Sequence, residues 1–465
     1  MPEQAPLDRA AGPTVDVVVI GAGIAGLIAA RECAKVGLSV RLLGEVTAGP
    51  TRTIELAGVG GIDAAAETFA VGDMIDQLAS EFGVPTEILL PRNTLLATAR
   101  VTAPIPQQVI AGLPGNPLSA DLKPFLGGAR ARAYADRVMP FLTIGKAHNL
   151  AALARGRFGS KVLERFTEPY ARAVYQLPAE RIDVDRAAPR LNTTLTSLGS
   201  VSGAVLALSE EPSAPSCRAV GGLEQLWAAL RARLEQYLVE CRPIRARELR
   251  AVTDASPARW VVTDVDGQQH WCHAVIATVD PAELGCDRAA SVEVLSSDRL
   301  IVTAALRTGS GQSGNASGVL FDPDAGPSLE LGIQSASLLD ARSTSLAAQC
   351  PAGIRLLRVV ADARQRNDDE RAALVSFAAE TLGFSSVQIE ASDQFELPVM
   401  RPWVGLGDPL PRPDLDSERS AVEAGCVWAG QWVVGPGLAR AAESGYEAAH
   451  RLRSEVLRTK LGSET

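Results

Sequence analysis

Between Val15 and Glu45 the chain reads VDVVVIGAGIAGLIAARECAKVGLSVRLLGE, and this stretch limits the fold more than any other. An apolar run, Val15 to Ile20, enters Gly21-Ala22-Gly23-Ile24-Ala25-Gly26. A helical pattern continues to Val36, and a second apolar run covers Val40 to Leu43. The pattern predicts strand, glycine turn, helix, strand. Each glycine of the G-x-G-x-x-G has its own task. Gly21 makes the turn, Gly23 lets the backbone approach a pyrophosphate, and Gly26 lets the helix pack close to the strand; the helix start, Ile24 and Ala25 included, faces the anion. The competing reading is a glycine-rich turn in an unrelated α/β fold, and the flanking elements favour a dinucleotide-type βαβ unit.

In such a unit an acid about 20 residues beyond the glycines binds the ribose hydroxyls from the tip of the second strand. Here the tip carries Gly44 and then Glu45. A one-residue step turns a side chain to the opposite face of a strand. Glu45 therefore serves the ribose only if a bulge or the strand's end re-aims it, and it is kept as a candidate. Further on, Arg52 has the chemistry to meet a phosphate, against the plainer reading of a solvated loop arginine.

A chain of 465 residues is too long for one core and predicts two or three domains. Its net charge of −9 argues against a nucleic-acid partner, because binding phosphates takes basic surface. The seven cysteines are scattered, odd in number and free of C-x-x-C spacing, so reduced thiols in a cytoplasmic protein are expected. His148, His270, His273 and His450 form no metal-ligand pattern, and no metal is assigned. The first 14 residues have neither a basic start nor an apolar core, and are read as a disordered leader. No run of about 20 apolar residues exists to span a membrane, which leaves peripheral membrane contact open.

Met74 to Phe82 is amphipathic and stops at Gly83, as a glycine-ended helix does. From about Asn93 to Pro215, Ala-Arg-rich helical segments dominate and predict a helical insertion that covers one side of a ligand cavity or merely adds a layer. Gly221-Gly222-Leu223 opens a helix with Leu223, Leu226, Trp227, Leu230 and Leu234 at core spacing. Ile244 and Val252 mark short strands. Trp260 to Thr263 and Gln269 to Thr278 form a hairpin about Asp266-Gly267, ending in a buried strand that returns to the first sheet. Strand-like runs at Leu300 to Leu306, Leu329 to Ile333 and Leu356 to Val360, with a helix near Glu370 to Leu382, predict an antiparallel sheet and a second, α+β domain. Near the end, Cys426 to Trp432 reads as a strand, Gly435 to Leu438 as a turn, and a long helix follows. This second helix start suits a polar cofactor edge. The expected domains are a leader at 1–14, the nucleotide-binding domain at 15–92, 216–290 and 420–460, the helical insertion at 93–215 and the antiparallel-sheet substrate domain at 291–419.

GAGIAGLIAA near the start, the GG-L-x-x-L-x-x-x-L helix start and AGQWVVGPGLARAAESGYEAA near the end resemble the flavin-dependent amine oxidase superfamily. Within it, AAAETFA and ERFTEPYARAVYQLPAERIDVDRAAPRL are similar to segments of the protoporphyrinogen and coproporphyrinogen oxidases. The resemblance runs over nearly the whole chain in order. It implies an α/β fold: a Rossmann-like FAD-binding domain, an α+β substrate domain and the helical insertion. By matching position Gly21, Gly23 and Gly26 hold the pyrophosphate of FAD, Ile244 lies by the adenine, and Gly430, Gly437 and Leu438 approach the ribityl chain and flavin ring. Such an enzyme moves hydride from a small-molecule substrate to the flavin, and oxygen reoxidises it to give peroxide; the chemistry is mostly the cofactor's, and no catalytic residue is assigned.

The chain also departs from the superfamily pattern. Gly44 stands where the ribose acid is expected, Gln431 where an acid usually follows the C-terminal strand, and Ala48-Gly49-Pro50 where paired glycines precede a basic residue. The loop after Phe69 lacks a basic residue, and Arg165 and Arg172 are the arginines considered for substrate carboxylates. Each lost polar contact weakens FAD binding by about 1–3 kcal/mol. Three readings stay open: a porphyrinogen oxidase, a divergent flavoenzyme acting on an amine or another cyclic metabolite, and a flavin-free homologue acting as a binding or partner protein.

Overall fold

The computed structural model describes residues 14–45, 52–139, 148–252, 259–285, 297–309, 316–399, 425–435 and 437–462. The expected leader, apart from Thr14, and Ala48-Gly49-Pro50 lie outside these residues.

A seven-stranded sheet holds both ends of the chain together. The strand Val15–Ile20 pairs in parallel with Val40–Leu43 on one side and with Gln269–Ala277 on the other. Cys426–Trp428 joins Gln269–Ala277, and Glu240–Arg242 joins Val40–Leu43, also in parallel. The continuous Val/Ile/Leu runs follow from this placement: all six residues of Val15–Ile20 are buried, because both faces of the strand are covered. Val17, Val19 and Leu42 meet the helix Ile24–Ala34, while Val18, Ile20 and Leu43 pack with Leu249, Val262 and Val275 on the other face. The helix itself is buried throughout, its small residues letting it fit between the sheet and the helices Glu224–Gln236 and Leu438–Gly462.

The second large sheet also has seven strands. Its long members Ser297–Thr308, Ile354–Asp362 and Val387–Val399 pair antiparallel, while Gly318–Phe321 pairs in parallel with Thr94–Ala97. One face packs on the helix Asp368–Thr381, which opens with a capping box between Asn367 and Glu370. The other face packs through Leu356 and Ala305 on the hairpin Thr53–Leu56 and Gly60–Asp63. Residues from Leu122 to Val205 form a separate helical core around Phe125, Phe158 and Phe166. The helix Met74–Phe82 starts on Asp73, which accepts from the Ile75 and Asp76 N–H groups, and ends at left-handed Gly83. No single helix among the described residues is long and apolar enough to cross a membrane.

Local expectations fail where glycine or proline resets the backbone. Leu329 to Leu331 is helical, not extended: Pro327 starts the helix Pro327–Leu331, Gly332 at φ 64° ends it, and the strand begins at Ile333. The strand expected to reach Trp432 stops at Trp428, because Gly430 takes φ 85° and Gln431–Val434 makes a helical turn. Ile244 lies between the strands Glu240–Arg242 and Ala246–Ala251, and Val252 just beyond the second.

Candidate functional site

The parallel strands end along one edge of the first sheet, where open α/β sheets take their ligands. Ile20 is level with Leu43 and with Ala277, and Ala277 with Trp428. The residues leaving these strands, Gly21, Gly44, Thr278 and Ala429-Gly430, therefore stand in a row.

The three glycines of the first turn are needed for different reasons. Gly21 has φ 101°, its N–H donates to the Leu43 carbonyl at 2.7 Å, and a Cβ there would stand 2.3 Å from Thr278 Oγ1. A Cβ on Gly26 would come within 1.8 Å of the Gly21 carbonyl oxygen. Both positions are thus fixed by the protein's own packing. Gly23 is not: its φ of −71° suits any residue, and a Cβ there would meet nothing within 4 Å. The space beside Gly23 is open. The helix it caps has no side-chain cap and no acid in its first turn, so its leading N–H groups are left for an anion. This cradle fits a pyrophosphate.

The C-terminal turn comes to the same place. Gly430, at φ 85°, donates its N–H to Ser444 Oγ at 3.1 Å, and a Cβ on it would lie 3.5 Å from both Ala25 Cβ and Thr278 Cβ. The two glycine turns lie side by side. Gln431 is exposed at the head of Gln431–Val434. Gly437, at φ 131°, accepts from the Ala441 N–H at 3.0 Å, and Leu438 opens the long helix while packing beside Ile24 and Ile28.

The ribose position departs from the usual plan for a steric reason. Gly44 has φ 152° and donates to the Arg242 carbonyl at 3.0 Å; a Cβ there would stand 2.6 Å from Ala22 N. No acid fits on this backbone. The strand ends at Leu43, so Glu45 lies beyond it, exposed, and the opposite-face argument does not apply. Ile244, half-buried, packs against the cluster that includes Ile20 and Leu43.

Arg52 is held by the second sheet. Its guanidinium stacks on Phe395, 4.6 Å from the ring centre, and one terminal nitrogen donates to the Gln394 carbonyl at 3.5 Å, while its Nε is buried without a partner. Arg172 is bound by Glu168 at 2.7 Å and by Asp324, which takes it out of consideration as an open carboxylate receptor.

Several residues that join the site to the second sheet were not singled out from the sequence. Thr278 links the two turns, its hydroxyl donating to the Ile20 carbonyl at 2.9 Å. Fully buried Asp63 accepts the Leu223 N–H at 2.8 Å and faces Arg218 at 3.5 Å. Burial pushes its carboxyl up to about 6, against the pull of that N–H and the Arg218 charge. Arg358 reaches over from the second sheet to the Asp63 carbonyl and to Glu67 at 3.0 Å. Burial also raises Glu87, but hydrogen bonds from Ser343, Ser345 and Thr344 overcome this and hold it at about 2. The sequence signal for Ser444-Gly445 was a glycine inside a helix. Asp63, Arg218 and Arg358 had none.

Residues 16–82 match the family model described as FAD binding domain. The chain is 26% identical over 330 residues to coproporphyrinogen III oxidase of Mycobacterium tuberculosis (strain ATCC 25618 / H37Rv), covering 66% of this chain and 70% of that protein. Its fold is similar to that of a putative protoporphyrinogen oxidase from Exiguobacterium sp. 255-15, with TM-score 0.76 and 16% identity over 95% of this chain and 99% of that one. Reduced UDP-galactopyranose mutase follows at TM-score 0.68 and 14% identity, covering 95% and 97%. Putrescine oxidase bound to putrescine gives 0.56 and 15%, covering 95% and 99%.

Proposed function

We propose that this chain is a divergent FAD-dependent oxidoreductase of the flavin-dependent amine oxidase superfamily, and that it dehydrogenates a porphyrinogen, coproporphyrinogen III or protoporphyrinogen IX, with oxygen as acceptor and peroxide as by-product. The observation that carries the cofactor assignment is the close approach of Gly430 to Ala25 and Thr278, near enough that a Cβ on it would touch both, beside the open space at Gly23. The similarity to coproporphyrinogen III oxidase over 330 residues supports the substrate class.

When bound, FAD supplies the hydride acceptor. The chain's own part is to bind and orient. Gly23 and the uncapped N–H groups of Ile24–Ala34 take the pyrophosphate, and the positive end of Leu438–Gly462 favours negative charge at the second turn. With Gly44 unable to carry an acid, the ribose falls to Glu45, and the Gln431 amide replaces a carboxylate at the C-terminal turn.

The test is to supply the FAD-loaded protein with coproporphyrinogen III, protoporphyrinogen IX and putrescine in turn, following porphyrin fluorescence and peroxide. Porphyrin and peroxide from a porphyrinogen alone support the proposal. Peroxide from putrescine alone favours the amine-oxidase reading.

A further inference from the structure

Arg355 and Arg358 lie on the same strand, Ile354–Asp362, and are used differently. Arg355 pairs with Asp340, just past the neighbouring strand Ile333–Leu338. Arg358 leaves its own sheet and reaches the stretch that follows the strand Gly60–Asp63. One terminal nitrogen donates to the Ala65 carbonyl at 3.2 Å and to Glu67 Oε2 at 3.0 Å, and the other donates to the Asp63 carbonyl. Its Nε donates to Thr303 Oγ1 at 3.3 Å, so every nitrogen of this buried guanidinium is engaged.

The stretch it holds runs from the second sheet to the glycine turns. Ala64 belongs to the cluster of Ala305 and Leu356, and Phe69 to the cluster of Ile24 and Ile28, against which Leu438 packs. Between them Ala65 to Thr68 are half-buried and lie outside any strand or helix. No ladder of backbone bonds fixes their direction, and the Arg358 fork does. A buried ion pair is weak evidence of stability, whereas a planar guanidinium that grips several oxygens sets their geometry. We propose that Arg358 and Glu67 are positioning residues for the flavin end of FAD: the clamp sets the stretch from Ala64 to Phe69 as a wall of the cleft beside Leu438. This rests on the FAD assignment and gives the second sheet a part in holding the cofactor.

The test compares FAD with ADP, which has the adenine and pyrophosphate but no flavin ring, by calorimetry on the folded apoprotein. Arg358→Met should weaken FAD binding by about tenfold, the worth of one charged hydrogen bond. Glu67→Gln should weaken it by about threefold, since the amide still accepts a bond from Arg358 but carries no charge. Arg358→Lys should recover part of the loss, because it keeps the charge and gives up the fork. ADP affinity should stay at the parent value in all three, since Gly23 and the helix Ile24–Ala34 are untouched. Glu67 is only partly buried, and its variant keeps the test open should Arg358→Met misfold. FAD affinity unchanged in the folded variants overturns the proposal. A fall in ADP affinity equal to that in FAD affinity also overturns it, as the mark of a general loss of structure. Failure of the unsubstituted protein to bind FAD overturns the FAD assignment, and the role of this pair with it.

Discussion

A Cβ placed on Gly445 would stand 2.1 Å from the carbonyl oxygen of Ala25, so the C-terminal helix and the helix of the first glycine turn meet backbone to backbone. This crossing lets Gly430 reach Thr278 and Ala25, and it makes one site from residues more than 400 positions apart in the 465-residue chain. Gly445→Ala must push the helices apart. It should cost about 1–3 kcal/mol in chemical denaturation, the usual toll of overpacking, and weaken FAD binding together with stability. A variant as stable as the parent would show that the crossing is looser than described.

Gly23 and Gly26 should separate ligand binding from folding. Gly26→Ala meets the Gly21 carbonyl and should destabilise the apoprotein strongly. Gly23→Ala meets no protein atom, so the apoprotein should melt as the parent does while its FAD affinity falls by about tenfold, as a methyl group enters the pyrophosphate space. Equal FAD affinity in Gly23→Ala and parent would place the pyrophosphate elsewhere.

Restoring the usual ribose acid should fail. Gly44→Glu forces a side chain onto a backbone at φ 152° and against Ala22 N, and should lower stability without raising FAD affinity. Glu45→Gln should leave stability unchanged and weaken FAD binding by about 1 kcal/mol, through loss of a charged hydrogen-bond acceptor. Titration calorimetry on the two variants decides between them; tighter FAD binding by Gly44→Glu would reverse the assignment.

The βαβ unit was legible because its evidence is local: two apolar runs, three spaced glycines and a helix period fall within Val15 to Leu43. Met74–Phe82 is legible for the same reason, from its amphipathic pattern and the Gly83 that ends it. The apolar pattern misleads where one residue's φ overrides it, at Pro327 and Gly332 and again at Gly430. Asp63, Arg218 and Arg358 were out of reach, since their meaning lies in contacts that no spacing in the sequence encodes. The steric role of Gly44 was hidden likewise: an absent acid and a forbidden acid read the same.

Asp63 predicts a pH dependence. Its carboxyl titrates near 6 in the folded chain and near the ordinary 3.8 when unfolded, so the folded state holds the proton more tightly. The stability from that proton is full below about 3.8 and lost as pH rises through about 6, a change on the order of 3 kcal/mol. Asp63→Asn cannot titrate. The stability of the parent relative to Asp63→Asn should therefore fall between pH 4 and 7, and a constant difference across that range would contradict the buried, ionisable Asp63 described here.

The most direct measurement is a titration of the folded apoprotein with FAD, followed by calorimetry and by flavin fluorescence, with ADP as competitor. Saturation at one FAD per chain, with ADP displacing it, is the predicted result, because the two glycine turns form a single adenine-nucleotide cleft. No saturable binding to the folded chain, or binding that ADP leaves untouched, would contradict it.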